Sequence, residues 1–64
     1  MMRLLIEGMS CDHCRRAVEN TLKELDGVHD VEVNLAEGWA SFQGGSPEQA
    51  IAAIVEAGYS ARLS

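Results

Sequence analysis

The two cysteines of the chain stand three positions apart, at Cys11 and Cys14, and its 64 residues contain no other cysteine. Two thiols at this spacing can share a metal ion, form a disulfide that opens and closes, or provide half of a larger metal site. Thiolates are soft ligands that suit Cu(I), which two of them satisfy, whereas Zn²⁺ takes four ligands. The pair therefore favours a soft, low-coordinate metal site.

The residues on either side of the pair predict a strand before it and a helix after it. Residues 2–7 alternate in hydropathy, as in a half-buried strand that ends at Gly8. From Cys14 to Leu25 apolar residues recur every three or four positions, as in an amphipathic helix. The expected buried faces are Met2, Leu4 and Ile6, then Cys14, Ala17, Val18, Thr21, Leu22 and Leu25, with Ser10 or Asp12 capping the helix and Gly27 beyond its end.

This arrangement places both thiols at a helix N-terminus, where the ionised form of a cysteine is favoured. The partial positive charge of the helix end and the guanidinium groups of Arg15 and Arg16 both stabilise a thiolate. We expect Cys11 to be the more acidic thiol, because Cys14 turns toward the apolar face of the helix. The sequence is equally consistent with two roles for these arginines, a solvated helix face and a docking surface.

The second half of the chain repeats the strand and helix pattern. Residues 28–35 and 39–43 alternate as two strands of a hairpin, and Gly44 and Gly45 end the second strand. A capping box with proline at the first helical position begins a helix at Ser46. The expected buried residues are Val31, Val33, Leu35, Ala40, Phe42, Ala50, Ile51, Ile54, Val55 and Ala57, followed by a strand over residues 59–63 with Tyr59, Ala61 and Leu63 on one side.

The order strand, helix, strand, strand, helix, strand predicts an α+β fold. A four-stranded antiparallel sheet with two helices on one face, the ferredoxin-like βαββαβ sandwich, buries every apolar stripe. A chain of this length forms one domain, residues 1–64.

Charge and hydropathy restrict the partners of this domain. Ten acidic against five basic residues give a net charge of −5, which argues against nucleic acid and permits a partner with a basic face. The sequence has no apolar run of 18 residues, so no membrane insertion is expected. Its N-terminus lacks the apolar length of a signal peptide, so a cytoplasmic location is expected, where a cysteine pair more often binds metal than forms a structural disulfide.

The segment Gly8–Cys14, Gly-Met-Ser-Cys-Asp-His-Cys, resembles the Gly-Met-Thr/Ser-Cys-X-X-Cys signature of heavy-metal-associated domains. Residues 25–28, 31–33 and 57–59 are similar to recurring segments of the same family, so the resemblance covers essentially the whole chain. As a single copy of the domain, the chain looks most like a small bacterial copper chaperone. The resemblance implies a non-enzymatic protein that carries Cu(I) to a copper-transporting P-type ATPase and its metal-binding domain.

The resemblance also implies roles for residues around the thiols. Cys11 and Cys14 would bind the metal and pass it on by ligand exchange, and Met9 would pack beneath the loop. Tyr59 would face the metal loop. Apart from the resemblance, the imidazole of His13 can bind a soft metal, contact the thiolates or contact the partner, and the contact roles are favoured because a residue between two ligands often points to solvent. Arg15 and Arg16 are also expected to contact the partner. Ag(I), Hg(II) or Zn(II) could replace Cu(I) in vitro, and a metal ion could bridge a homodimer.

Two other functions remain compatible with the motif. One is a metal-binding domain of a transporter for Zn, Cd or Hg, or of a mercuric reductase, although the initial Met and the lack of a trailing linker favour a free protein. The other is a thiol-disulfide oxidoreductase, which shares the Cys-X-X-Cys spacing. Against the latter, the chain has a single proline, Pro47, far from the motif and at a helix start.

Overall fold

The computed structural model describes residues 2–64 and has four strands and two helices in the order βαββαβ. The elements are β1 (Met2–Glu7), α1 (Asp12–Lys23), β2 (His29–Asn34), β3 (Trp39–Gln43), α2 (Pro47–Glu56) and β4 (Ser60–Leu63). All strand pairs are antiparallel, in the order β2-β3-β1-β4. The predicted α+β, ferredoxin-like architecture is confirmed. Neither helix among residues 2–64 has the length and hydropathy required to cross a bilayer.

The core lies between one face of the sheet and both helices. Leu4 stands opposite Ala40 on β3, and Ile6 stands opposite Ala61 on β4. Directly paired residues of antiparallel strands share a face, so these side chains lie on the same side of the sheet. The buried apolar residues are Leu4, Ile6, Val18, Leu22, Ala40, Phe42, Ala50 and Ile54. Since α1 and α2 contribute to this one cluster, both helices cover the same sheet face.

Four residues expected in the core are exposed. Val55 is 55% exposed because it follows Ile54 by one position, a rotation of about 100° around the helix axis, and Ala57 lies beyond the end of α2. Leu63 is paired with Leu4 and so lies on the expected side, yet it is 57% exposed at the end of an edge strand. The fourth exposed residue is Met2, at the start of β1.

The helix starts also differ from the expected capping. Helix α1 begins at Asp12, two residues earlier than the apolar repeat indicated. Its N-cap residue is Cys11 rather than Ser10 or Asp12, and the Cys11 side chain makes no cap hydrogen bond. Helix α2 follows Ser46 with Pro47 in its first turn, as predicted. The Ser46 side chain makes no cap hydrogen bond, so the expected capping box is not formed.

The end of β1 and the start of β4 together position the cysteine loop. Glu7 pairs with Ser60, so the loop that leaves β1 lies beside the residue that precedes β4. Gly8 has a φ of +100°, and a Cβ atom there would lie 3.4 Å from Cδ1 of Tyr59. The ring of Tyr59 therefore packs against the backbone of the loop, where a side chain at position 8 would be strained.

Candidate metal centre

The two cysteine sulfurs form a pair at the junction of the loop and α1. Cys11 Sγ and Cys14 Sγ are 3.8 Å apart, and both are free thiols. This separation is far longer than a disulfide bond of about 2.05 Å. Two metal–sulfur bonds of about 2.3 Å each, the length of a zinc–thiolate bond, span up to about 4.6 Å. One ion can thus bind both sulfurs with little movement of the backbone.

The two thiols differ in exposure. Cys11 is exposed at the N-cap position, whereas Cys14 is half-buried in the first turn of α1. Met9 is half-buried and packs against the hydrophobic core, as expected for a residue beneath the loop. The exposed sulfur leaves a side of the pair open to an incoming ligand.

Hydrogen-bond donors converge on the sulfur of Cys14. A hydrogen bond from the Ser10 backbone, followed in strength by one from the Tyr59 hydroxyl, lowers the pKa of Cys14 from 9.0 to about 6. Partial burial opposes this shift, and weaker contributions come from the Cys11 thiol and from the Ser10 hydroxyl, whose oxygen lies 4.0 Å from Cys14 Sγ. The same interaction with Cys14 raises the pKa of Tyr59.

This arrangement corrects the expectation about thiol acidity. The fold directs its donors to Cys14, the sulfur that turns inward, and not to Cys11 as expected from the sequence. Burial alone disfavours a thiolate, but the half-buried sulfur is also the one that the backbone and Tyr59 can reach. The sequence pattern indicates only a helix-capping role for Ser10. Its spacing of four residues from Cys14 was the available signal for this contact.

Charged side chains form a cluster at the start of α1, the N-terminal ion-pair cluster of Asp12, Arg15 and Arg16. Asp12 Oδ1 lies 2.7 Å from Arg15 Nε, and Asp12 Oδ2 lies 3.3 Å from Arg16 Nε. The hydrogen bond from Arg15 is the main cause that lowers the pKa of Asp12. Arg15 also contacts Glu19, which pairs in turn with Lys23 one helical turn further on. Arg15 and Arg16, which the sequence indicates as thiolate-stabilising groups, are therefore both paired with the carboxylate of Asp12 beside the thiols.

No third ligand joins the two sulfurs from the part of the chain that the structure describes. Within residues 2–64, no three side chains of the types His, Cys, Asp and Glu lie close enough together to hold a metal ion. His13 is exposed on α1, and Asp12 is engaged by the arginines. The structure thus brings together Cys11, Cys14 and Tyr59, and leaves His13 at the surface near them.

Comparison with known proteins gives one consistent family. The model of the heavy-metal-associated domain matches residues 3–60. The copper chaperone CopZ of Staphylococcus aureus (strain bovine RF122 / ET3-1) is 45% identical over 54 residues, which cover 84% of this chain and 79% of that protein.

Two solved structures extend the comparison to other metal-binding proteins. A copper-binding domain from HMA7, a P-type ATPase, superposes with a TM-score of 0.94 at 25% identity and covers 98% of this chain and 90% of its own. The Hg(II) complex of the N-terminal domain of Tn501 mercuric reductase superposes with a TM-score of 0.87 at 34% identity, covering 100% of this chain and 97% of its own.

Proposed function

The chain belongs to the heavy-metal-associated domain family, and we propose that it acts as a copper chaperone. In this proposal Cu(I) binds between the thiolates of Cys11 and Cys14 and is passed to a copper-transporting P-type ATPase by ligand exchange. The observation that carries the proposal is the pair of free sulfurs 3.8 Å apart on a loop that is open on one side. The similarity to the S. aureus copper chaperone supports Cu(I) as the cargo.

Ligand exchange uses the difference between the two thiols. A thiolate of the partner approaches the ion on the side of the exposed Cys11 and forms a third sulfur bond. One of the original bonds then breaks, a second partner thiolate binds the ion, and the remaining bond to this chain breaks. No electron moves, and the oxidation state of the metal does not change. Because the pKa of Cys14 is about 6, this sulfur is mostly deprotonated at neutral pH, so little proton release accompanies its binding.

The surroundings of the pair suit this exchange. Met9 packs against the core, and the Tyr59 hydroxyl lowers the pKa of Cys14. His13 and Arg16 are exposed beside the thiols, where a docked protein would meet them. Arg15 is less available, because it is paired with carboxylates on both sides along α1. We assign these residues to support and partner contact, and the two cysteines to metal binding.

The proposed partner is the metal-binding domain of the ATPase, in the cytoplasm. The copper-binding domain of a P-type ATPase has the same fold as this chain, and in this proposal the acceptor domain approaches the ion from the open side of the Cys11–Cys14 pair. The same geometry would allow a metal-bridged homodimer. A reducing compartment keeps both thiols available for metal, which favours the cytoplasm.

A second candidate is the handling of Hg(II), which is also a soft ion. The specific observation is the 34% identity to the mercury-binding domain of a mercuric reductase over the whole chain. Ag(I) shares the preference for sulfur, whereas Zn(II) needs ligands that the described residues do not group around the sulfurs. The first measurement is therefore a comparison of the affinities of the site for these ions.

The test is anaerobic Cu(I) loading followed by native mass spectrometry and chelator competition. We expect one Cu(I) per chain, and loss of tight binding in Cys11→Ser and in Cys14→Ser with an unchanged far-UV circular dichroism spectrum. Transfer to a separately tagged ATPase metal-binding domain is then followed after chromatographic separation. Wild-type affinity in either single variant would refute the two-thiolate site, and loaded protein that yields no copper to the domain would refute the chaperone role.

A further inference from the structure

We propose that Asp12 is a positioning residue of the metal site. Its carboxylate, by binding Arg15 and Arg16, holds the first turn of α1 and thereby the positions of the two sulfurs. This inference rests on the proposed copper site and names a residue that sets its affinity from outside the set of ligands.

The start of α1 lacks the usual stabilising contact. An N-cap side chain normally accepts a hydrogen bond from a backbone amide of the first turn, which stabilises the helix start. Here the N-cap is Cys11, and its side chain makes no such bond. A sulfur required as a metal ligand cannot serve as the cap as well. The first regular helical contact is the backbone bond from Arg15 N–H to the Cys11 carbonyl oxygen, at 3.1 Å.

The Asp12 carboxylate stabilises the start of α1 in place of the missing cap hydrogen bond. Asp12 follows Cys11 directly, and Arg15 follows Cys14 directly, so the ion pair spans the same three-residue interval as the two thiols. The pair is short, at 2.7 Å, and Arg15 is held on its other side by Glu19 at 3.3 Å. The negative charge also lies in the first turn of α1, where the helix dipole stabilises it. Loss of this carboxylate should therefore loosen the turn that carries both sulfurs.

A positioning role of Asp12 and a purely electrostatic role predict opposite changes in Cu(I) affinity when the carboxylate is removed. Cu(I) bound by two thiolates carries a net negative charge, which a neighbouring carboxylate repels. If Asp12 acted only through its charge, its removal would tighten copper binding. If it holds the first turn in place, its removal weakens binding, because ordering the loose turn then opposes binding. The sign of the change in affinity separates the two roles.

The experiment compares Asp12→Asn with Glu48→Gln in the full chain. Glu48 lies in the first turn of α2, so the control removes the same charge from the first turn of the other helix. We expect Asp12→Asn to weaken Cu(I) binding about two- to fivefold in chelator competition, the range of an exposed ion pair and a helix-end charge. Glu48→Gln should leave the affinity unchanged. Equal or tighter binding in Asp12→Asn would overturn the proposal.

A second measurement uses the metal-free protein. Amide hydrogen exchange at Arg15 reports the opening of its bond to the Cys11 carbonyl. We expect faster exchange in Asp12→Asn than in wild type or Glu48→Gln, and a smaller effect of Asp12→Asn in an Arg15→Gln background. Unchanged exchange at Arg15 would also overturn the proposal. A wild type that binds no Cu(I) would refute the copper site itself, while the exchange rates would still decide whether Asp12 orders the thiols.

Discussion

The hydroxyl of Tyr59 interacts with the sulfur of Cys14 across the junction between the cysteine loop and β4, and Cys14 is the first cause of the raised pKa of Tyr59. After the Ser10 backbone, the same contact is the second cause that lowers the pKa of Cys14 to about 6. The two residues are 45 positions apart in the sequence, and the pairing of β1 with β4 brings them together. A residue at the junction before β4 thus contributes to the lowered pKa of a proposed metal ligand.

Tyr59→Phe should raise the pKa of Cys14 toward its ordinary value of 9.0 without reaching it, because the stronger Ser10 backbone contact remains. The ring still packs against the loop, so stability should change by less than about 1.5 kcal/mol. The measurement is the pH dependence of alkylation at Cys14, resolved by peptide mass spectrometry. Ser10→Ala is the matched control, with a smaller shift, since the Ser10 hydroxyl is the weakest of the contributors. An alkylation profile in Tyr59→Phe that coincides with wild type would remove Tyr59 from the site and leave it in the core.

The lowered pKa of Cys14 also predicts how stability depends on pH. Between pH 6 and 9 the unfolded chain holds a proton on Cys14 that the folded chain has released. The free energy of unfolding of the metal-free protein should therefore rise as the pH increases through this interval. The contribution is fully present above about pH 9 and is lost as the pH falls through 6. The raised pKa of Tyr59 acts in the opposite sense, because its contribution is lost as the pH rises through its folded value.

Urea denaturation under anaerobic, reducing conditions at several pH values measures this dependence. Cys14→Ser should abolish the rise between pH 6 and 9, whereas Cys11→Ser should retain it. A wild-type free energy of unfolding that is flat across the interval would show that the folded protein does not favour the Cys14 thiolate.

Periodicity in the sequence was sufficient for the element order, the β2–β3 hairpin and the central core. Strict alternation over residues 2–7 and 39–43 identifies strands, and Leu4, Ala40 and Phe42 are fully buried as expected. The pattern failed at the ends of strands, where the apolar side chains of Met2 and Leu63 remain exposed. Periodicity describes which way a side chain points, and burial also depends on what lies opposite.

Hydropathy periodicity does not indicate the irregularities of the backbone. Asp30 adopts a left-handed conformation with a φ of +55°, and the register between β2 and β3 shifts between His29 and Glu32. The donors at Cys14 were hidden for a related reason, since they depend on the conformation of the loop and on a contact from a distant strand junction. Composition and spacing identified the two thiols, and the fold determines how they differ.

Gly44 and Gly58 allow a test of the packing at the end of the sheet. Both have positive φ values, +77° and +102°. A Cβ atom on Gly44 would collide with the carbonyl oxygen of Gly27, whereas one on Gly58 meets nothing within 4 Å. Gly58→Ala should cost about 1–3 kcal/mol from backbone strain alone. Gly44→Ala should cost about 1–3 kcal/mol more, because two backbone segments must also separate.

Urea denaturation of the two variants gives this difference directly. Equal destabilisation of Gly44→Ala and Gly58→Ala would show that the loops carrying Gly27 and Gly44 separate freely. Neither variant alters a proposed metal ligand, so we expect both folded variants to bind Cu(I) as wild type does.

The last prediction concerns the choice of metal. Two sulfurs satisfy Cu(I), but Zn²⁺ requires four ligands, and residues 2–64 group no further His, Cys, Asp or Glu with Cys11 and Cys14. Zinc must therefore take water or a second chain into its shell. A ligand that binds only the folded state stabilises it in proportion to the logarithm of its concentration over Kd. One equivalent of Cu(I) should thus raise the unfolding midpoint well beyond one equivalent of zinc.

Protein concentration separates the two ways in which zinc can complete its shell. If a second chain supplies the missing sulfurs, unfolding releases two chains and the ion, so the zinc-bound midpoint rises more steeply with total concentration than the Cu(I) midpoint of a one-to-one complex, whose unfolding releases one chain and one ion. Thermal melts under anaerobic, reducing conditions at two protein concentrations make the comparison, with Cys11→Ser as the control that should lose stabilisation by either ion. Zinc that matches Cu(I) at both concentrations would refute copper as the preferred cargo and favour a zinc-handling domain, because the site would then satisfy a four-coordinate ion without a partner.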